Sequence, residues 1–216
     1  MCHAYGILFC VDSAQSAGVF DIDVGTNQYD FVCMSGHKSL YGPMGTGVLI
    51  LNNRNLKPLL YGGTGTESVK KSRPEGLPEK FESGTQNMNG ISGLKAGVDF
   101  VKNRGIKNIY NHEYKLAKRL FNGLANNRKV ITYKKSFDYG KVAPVVSFNI
   151  DGVYSEDLVA KLNKYGIMTR GGLHCSPLAH TTMNTIENGT VRVVPGAFNT
   201  INDINYLLNV IRKLTN

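Results

Sequence analysis

The feature that most constrains the fold is the tetrapeptide Ser35–Lys38, Ser-Gly-His-Lys, which follows the mostly apolar run Tyr29–Met34. An apolar run of this length, bounded by polar and glycine residues, is typical of a buried strand. The tetrapeptide would then lie at the carboxyl end of that strand, where open α/β sheets gather ligand-binding groups. The earlier apolar run, Ile7–Val11, ends in the same way, in the polar segment Asp12–Gln15.

If the two strands are parallel neighbours, their polar ends converge on one crevice. The crevice would then hold Asp12, Gln15, His37 and Lys38. An amine, a carboxylate and small hydrogen-bonding groups suit an enzyme that holds an aldehyde cofactor as an imine. Pyridoxal 5'-phosphate needs those parts, because it takes an amine at its aldehyde and an anion opposite its ring nitrogen.

Four motifs of this chain resemble those of one enzyme family and occur in that family's order. Asp-x-x-Gln at residues 12–15 and Ser-Gly-His-Lys at residues 35–38 resemble the class V aminotransferase group of pyridoxal-phosphate enzymes. Within that group, Arg170–His180 resembles the cysteine desulfurase and selenocysteine lyase branch, and Phe81–Asn87 fits as well. The resemblance runs over essentially the whole chain and corresponds to the later part of such an enzyme.

The resemblance implies an α/β fold that is a partial pyridoxal-phosphate-transferase fold (fold type I). Residues 1–127 would form the C-terminal part of the large, cofactor-binding domain with its connecting helices. Residues 128–216 would form a small C-terminal α/β domain. A parallel strand needs neighbours on both sides, yet residue 1 stands almost at the first strand. We therefore expect a chain truncated at its N-terminus, or a missing portion supplied by another chain.

The resemblance also assigns the cofactor-binding residues. Lys38 would be the Schiff-base lysine, Asp12 would pair with the pyridine nitrogen, and Gln15 would donate to the phenolic oxygen. Ser35 and His37 resemble phosphate ligands. The competing interpretation of Asp12 is an N-cap after the strand.

Thr85 resembles a residue that reaches the phosphate of a partner subunit, which implies a homodimer with a shared active site. An ordinary threonine at a helix start is the alternative interpretation of Thr85. The stacking ring and part of the phosphate cup are expected before Met1.

Cys175 is the predicted sulfur acceptor, lying in a polar loop rich in glycine and histidine. Attack on sulfur needs a thiolate, so a nearby cation such as His174 or Arg170 would help. Arg192 resembles the arginine that grips the substrate α-carboxylate through a bidentate fork, and Arg170 is the second candidate. A buried structural cysteine is the alternative for Cys175.

Composition and sequence patterns argue against several other classes of protein. The formal charge is +9, but the basic residues are scattered without an aromatic-interleaved stripe, which argues against a nucleic-acid partner. We find no apolar run of about 18 residues, no signal sequence and no C-x-x-C pair, so neither a membrane span nor a zinc site is predicted. Four cysteines without such spacing suit a reducing cytoplasm.

Periodicity predicts the remaining elements. Helices are predicted over 88–103, 107–126, 156–165 and 202–214, with Ser155 as the N-cap of the third. Strands are predicted over 48–51, 130–133, 145–150, 167–170 and 190–194, and a long surface loop over 59–80.

The sequence thus predicts a pyridoxal-phosphate-dependent cysteine desulfurase that converts L-cysteine to alanine and an enzyme persulfide, with a possible sulfur-acceptor protein as partner. A class V aminotransferase or a selenocysteine or cysteine-sulfinate lyase is the alternative within the same cofactor chemistry. An inactive fragment or interaction module is the non-enzymatic alternative.

Overall fold

The structure is a computed structural model that describes residues 1–52, 56–66, 69 and 72–216. The chain forms two compact units, Met1–Lys107 and Asn108–Asn216. The division falls twenty residues before the domain boundary predicted at 127/128, because the second long helix packs with the elements that follow it. The boundary at 127/128 stays a prediction about the longer fold.

The first unit contains a three-stranded sheet in the order β1-β2-β3. Its strands are β1 (Cys10–Asp12), β2 (Phe31–Ser35) and β3 (Gly47–Leu51). β1 runs parallel to β2, with Asp12 opposite Cys33, and β3 runs antiparallel to β2. Both directions were predicted, the second from the short connection before β3.

The first strand is shorter than predicted. Ile7–Phe9 lie outside β1, and their side chains are exposed. Phe9 is tied to the segment before β2 by hydrogen bonds with Asp30, whose carboxylate accepts from the Phe9 N–H at 2.7 Å. Apolar residues form a strand only where another strand pairs with them. The pairing of β1 with β2 begins at Cys10 and Phe31, so Ile7–Phe9 have no strand partner in β2.

The described residues of the first unit form a short 3-10 helix (Cys2–Tyr5), a short α-helix α1 (Val24–Asn27) and a long α-helix α2 (Met88–Arg104). The described residues between Leu51 and Met88 contain no helix or strand, as predicted for the loop over 59–80, although residues 67–68 and 70–71 lie outside the description. Gly97 of α2 lets the helix lie against the backbone after Lys38, because a Cβ there would stand 2.3 Å from the Leu40 oxygen.

The second unit packs helices against an antiparallel sheet in the order β4-β5-β6. Its elements in chain order are α3 (Ile106–Ala125), β4 (Val130–Thr132), β5 (Val146–Ile150), α4 (Ser155–Asn163), α5 (Pro177–Thr182), β6 (Val191–Val193) and α6 (Ile201–Thr215).

The core of this unit lies between the apolar faces of α3 and α6 and the sheet. Leu120 and Leu124 of α3 and Phe148 of β5 are fully buried. α3 approaches α6 closely at Gly123, where a Cβ would meet Leu208 at 2.5 Å. The start of α6 is fixed by a capping box between Thr200 and Asp203.

Two predictions for the second unit are wrong. The segment 167–170 is not a strand, since only Arg170 pairs, in an isolated bridge with Arg192. Ser155 is not an N-cap but the first residue of α4, after Tyr154. In addition, α5 was not predicted. Among the described residues, none of the helices has the length and apolar content of a membrane span.

Candidate active site

The polar ends of β1 and β2 meet at one edge of the first sheet. The parallel register sets Asp12 opposite Cys33, and the tetrapeptide Ser35–Lys38 begins two residues further on. This is the convergence that the two apolar runs predicted. The structure therefore places a carboxylate and an amine-bearing turn along the same edge.

The turn that carries Lys38 is held from both sides. The Gly36 N–H donates to the Thr46 carbonyl at 3.0 Å, and the Gly36 carbonyl accepts from the Gly42 N–H at 2.8 Å. A Cβ at Gly36 would stand 2.2 Å from Thr46 Oγ1. A glycine is needed at this position because the facing segment lies so close.

The side chains at this edge keep free hydrogen-bonding capacity. Asp12 Oδ1 accepts from the Ala14 N–H at 2.9 Å, which leaves Oδ2 to accept from a ligand. The Ser35 hydroxyl lies 3.2 Å from His37 Nδ1. Gln15 is exposed, and Lys38 is half-buried with no ion pair among the described residues.

This set of groups fits pyridoxal phosphate by its chemistry. A free carboxylate oxygen at Asp12 suits a protonated ring nitrogen, and the hydroxyl and imidazole of Ser35 and His37 suit a phosphate. The Asp12 bond to Ala14 resembles the turn-forming bond of an N-cap, yet it occupies only one oxygen.

Thr85 is exposed and lies two residues before Asn87, whose side chain caps α2 by accepting from the Gly90 N–H. The alternative of Thr85 as the helix-start residue is therefore wrong.

The second unit gathers the other predicted residues around two paired arginines. The Arg192 N–H donates to the Arg170 carbonyl at 2.8 Å, and the Arg170 N–H donates back at 3.3 Å. Arg192 Nε is buried and has no hydrogen-bond partner in the described part of the chain. Burial, together with the charge of Arg170, lowers the pKa of Arg192, and the nearby Cys175 opposes that shift. A half-buried guanidinium with an unused N–H fits a carboxylate ligand.

Cys175 is exposed on a loop with an unusual backbone. Both His174 (φ 52°) and Cys175 (φ 61°) adopt the left-handed conformation that non-glycine residues seldom adopt. Such a conformation persists only where surrounding contacts impose it. The thiol is free and solvent-facing, so the alternative of a buried structural cysteine is wrong.

Hydrogen bonds from three positions impose the shape of the Cys175 loop. His174 Nε2 donates to the Thr190 carbonyl at 2.8 Å, and the Thr190 N–H donates to the Gly172 carbonyl at 3.1 Å. The Gly172 N–H donates to the Ser155 hydroxyl at 3.1 Å. The Ser155 anchor was missed from sequence, where the residue resembled a helix cap.

The surroundings of His174 favour the neutral form of its imidazole ring. Burial lowers its pKa, with smaller contributions from Arg192, His180 and Arg170, and the bond to Thr190 only partly offsets them. The lowered pKa argues against His174 as the cation beside Cys175, and the choice between His174 and the arginines stays a prediction.

Comparisons with known proteins agree on one family. Residues 1–207 match the family model described as aminotransferase class-V. A probable cysteine desulfurase of Pyrococcus abyssi is 37% identical over 97% of this chain and 52% of its own length. One of Methanothermobacter thermautotrophicus is 32% identical over 98% of this chain and 54% of its own length.

Solved structures give the same result. The apo cysteine desulfurase of Thermococcus onnurineus superposes with a TM-score of 0.88 at 35% identity, over 99% of this chain and 54% of that one. The Escherichia coli cysteine desulfurase CsdA superposes with a TM-score of 0.85 at 29% identity, over 98% of this chain and 52% of that one. The predicted fold class, a partial fold type I α/β architecture, is confirmed, and the chain spans about half the length of these relatives.

Proposed function

Because this chain belongs to the class V aminotransferase family, we propose that it supplies the lysine-bearing and cysteine-bearing part of a pyridoxal-phosphate-dependent cysteine desulfurase. One observation carries the choice of desulfurase within the family. Cys175 is exposed on a tightly bonded loop beside Arg192, which suits a thiol that meets a substrate. The relatives named above carry the same activity in their names.

The first sheet edge holds the cofactor in this proposal. When bound, pyridoxal phosphate supplies an aldehyde that takes up amines and a ring that accepts electrons from the substrate Cα. Lys38 Nζ would hold the aldehyde group as an imine and, when free, would serve as the base for the substrate Cα proton. Asp12 Oδ2 would accept a hydrogen bond from the ring nitrogen, and Gln15 would donate one to the phenolic oxygen.

We assign the phosphate contacts to two segments of the chain. Ser35 and His37 would bind the phosphate from the turn, and Thr85 would bind the phosphate held by a partner subunit in a homodimer. The exposure of Thr85, outside the α2 cap, supports that role.

The second unit holds the substrate and takes its sulfur. Arg192 binds the cysteine α-carboxylate with its unused N–H groups, and Arg170 is the second cation. Cys175 Sγ attacks as a thiolate. An S–S bond would form as the substrate Cβ–S bond breaks, and the electron pair left on Cβ would take up a proton. Lys38 would return the Cα proton, which gives alanine and a persulfide on Cys175.

The persulfide then passes to an acceptor, for which a thiol of a partner protein is the simplest chemistry. The mechanism needs free thiols, and all four cysteines are unpaired, which suits a reducing compartment such as the cytoplasm.

The test is an assay of alanine and persulfide formation from L-cysteine, with the longest reading frame that contains this chain. Cys175→Ala should abolish sulfur release while leaving cofactor binding intact, and Cys10→Ala, which changes another exposed thiol, should retain activity. Normal sulfur release by Cys175→Ala would contradict the proposal, and retained transamination without desulfuration in the wild type would favour an aminotransferase.

A further inference from the structure

The second unit contains a cavity of about 300 Å³ to which none of the roles above is assigned. Its apolar walls come from α3, β5, the loop before β5 and the end of α5, and they include Phe121, Phe137, Val146 and Met183. Small-molecule sites are usually concave and mostly apolar, with a few polar groups that fix orientation, and about 300 Å³ is at the small end of their range.

One positive charge reaches the cavity. Lys134 lines it, with Nζ 5.0 Å from the centroid of the Phe137 ring and 3.5 Å from the Val145 carbonyl. Partial burial lowers the pKa of Lys134, although the residue as a whole is exposed. Of the described residues that line the cavity, none is acidic. Among the described residues, no carboxylate forms an ion pair with this ammonium group.

A second polar group is fixed in the wall. His180 is 7% exposed, and its Nδ1 lies 2.8 Å from the Thr185 hydroxyl. The ring cannot turn without breaking this bond, so Nε2 is the ring nitrogen left for a ligand. The wall thus combines apolar surface with one cation and one imidazole.

We propose that this cavity binds a small carboxylic acid with an apolar body about the size of one aromatic ring, its carboxylate on Lys134 Nζ. An uncharged apolar ligand would leave the ammonium group without a counter-charge, and a cationic ligand would be repelled by it. An organic anion satisfies both the charge and the apolar surface.

The cavity lies against the supports of the Cys175 loop. The His180 and His174 rings pack with centroids 5.8 Å apart. Thr190 lines the cavity, and its carbonyl accepts the His174 N–H. A bound acid is therefore sensed by the residue next to Cys175, while the binding itself does not depend on the desulfurase proposal.

The test is a titration of the 216-residue chain with phenylacetate, followed by the imidazole NMR signals of its five histidines. Phenylacetamide serves as the uncharged control of the same shape. We expect saturable shifts of His180 and His174 with a Kd of about 1 mM, and no shift of His3, His37 or His112.

The matched variants are Lys134→Met and Lys135→Met. Each removes one positive charge, but only Lys134 lines the cavity. Lys134→Met should weaken phenylacetate roughly tenfold, because a charge-assisted bond is lost, and Lys135→Met should bind as the wild type does. Equal binding of the amide, equal effects of the two variants, or unmoved His180 signals at about 20 mM phenylacetate would overturn the proposal. Dispersed spectra of both variants will show that they fold.

Discussion

Ser155→Ala should destabilise the second unit and loosen the Cys175 loop. The Ser155 side chain is 1% exposed, accepts from the Gly172 N–H at 3.1 Å and donates to Glu156 Oε2 at 2.9 Å. Alanine would leave the Gly172 N–H without its acceptor in a partly buried place, which costs about 1–3 kcal/mol. The midpoint of thermal unfolding should fall by roughly 4–12 °C for a unit of this size.

Glycine at neighbouring positions makes rearrangement difficult. A Cβ at Gly189 would stand 2.7 Å from both the Gly172 Cα and the Ser155 hydroxyl, so the segments already lie as close as backbone allows. The N–H of Gly172 therefore cannot move to another acceptor without separating them.

The assay is thermal unfolding together with the rate of alkylation at Cys175, read by peptide mapping, with Cys10 as the internal reference. Ser136→Ala is the control, because it removes an exposed hydroxyl that bonds Asp138 at 3.0 Å, and it should change stability by less than about 0.5 kcal/mol. Equal midpoints for the two variants, with unchanged alkylation of Cys175, would refute the anchoring role.

Three further predictions concern other parts of the molecule. Arg192→Lys keeps the charge but loses the planar fork, so amino-acid substrates should bind about tenfold more weakly with cofactor absorbance intact; unchanged kinetics would move the carboxylate site to Arg170. Gly97→Ala should destabilise the first unit by about 1–2 kcal/mol in urea unfolding. The clash of the new Cβ with the Leu40 carbonyl exceeds the gain of about 1 kcal/mol in helix propensity. A stabilised variant would contradict this prediction. Because the pKa of His174 is lowered in the folded state, the unfolded chain binds a proton at higher pH than the folded chain does. The free energy of unfolding should therefore fall as the pH drops below the unfolded pKa of 6.5. His174→Gln should lessen this loss of stability between pH 8 and pH 5.5, and an identical loss in the variant would contradict the prediction.

The sheet edge with Lys38 could be predicted because its information is local. An apolar run gives the strand, and polar residues directly after it give the position at the strand end. The long helices α3 and α6 could be predicted equally well, since their apolar residues recur with the helical period.

Contacts between distant segments could not be predicted from local sequence patterns. Ile7–Phe9 have strand-like residues but no ladder partner, and the backbone pairing of Arg170 with Arg192 joins segments twenty-two residues apart. The role of Ser155 depends on Gly172, which nothing in the local pattern of α4 reveals. For α5 a signal existed, because Pro177 occupies the first turn of the helix, where proline is favoured.

The central claim is that Lys38 carries the cofactor. The direct measurement is borohydride reduction of the yellow, cofactor-loaded protein from the longest reading frame containing this chain, followed by peptide mapping of the fixed pyridoxyl group. The account predicts the label on the peptide that contains Lys38, and a Lys38→Ala protein that takes up no label. A label on any other lysine, with Lys38 unmodified, would contradict it.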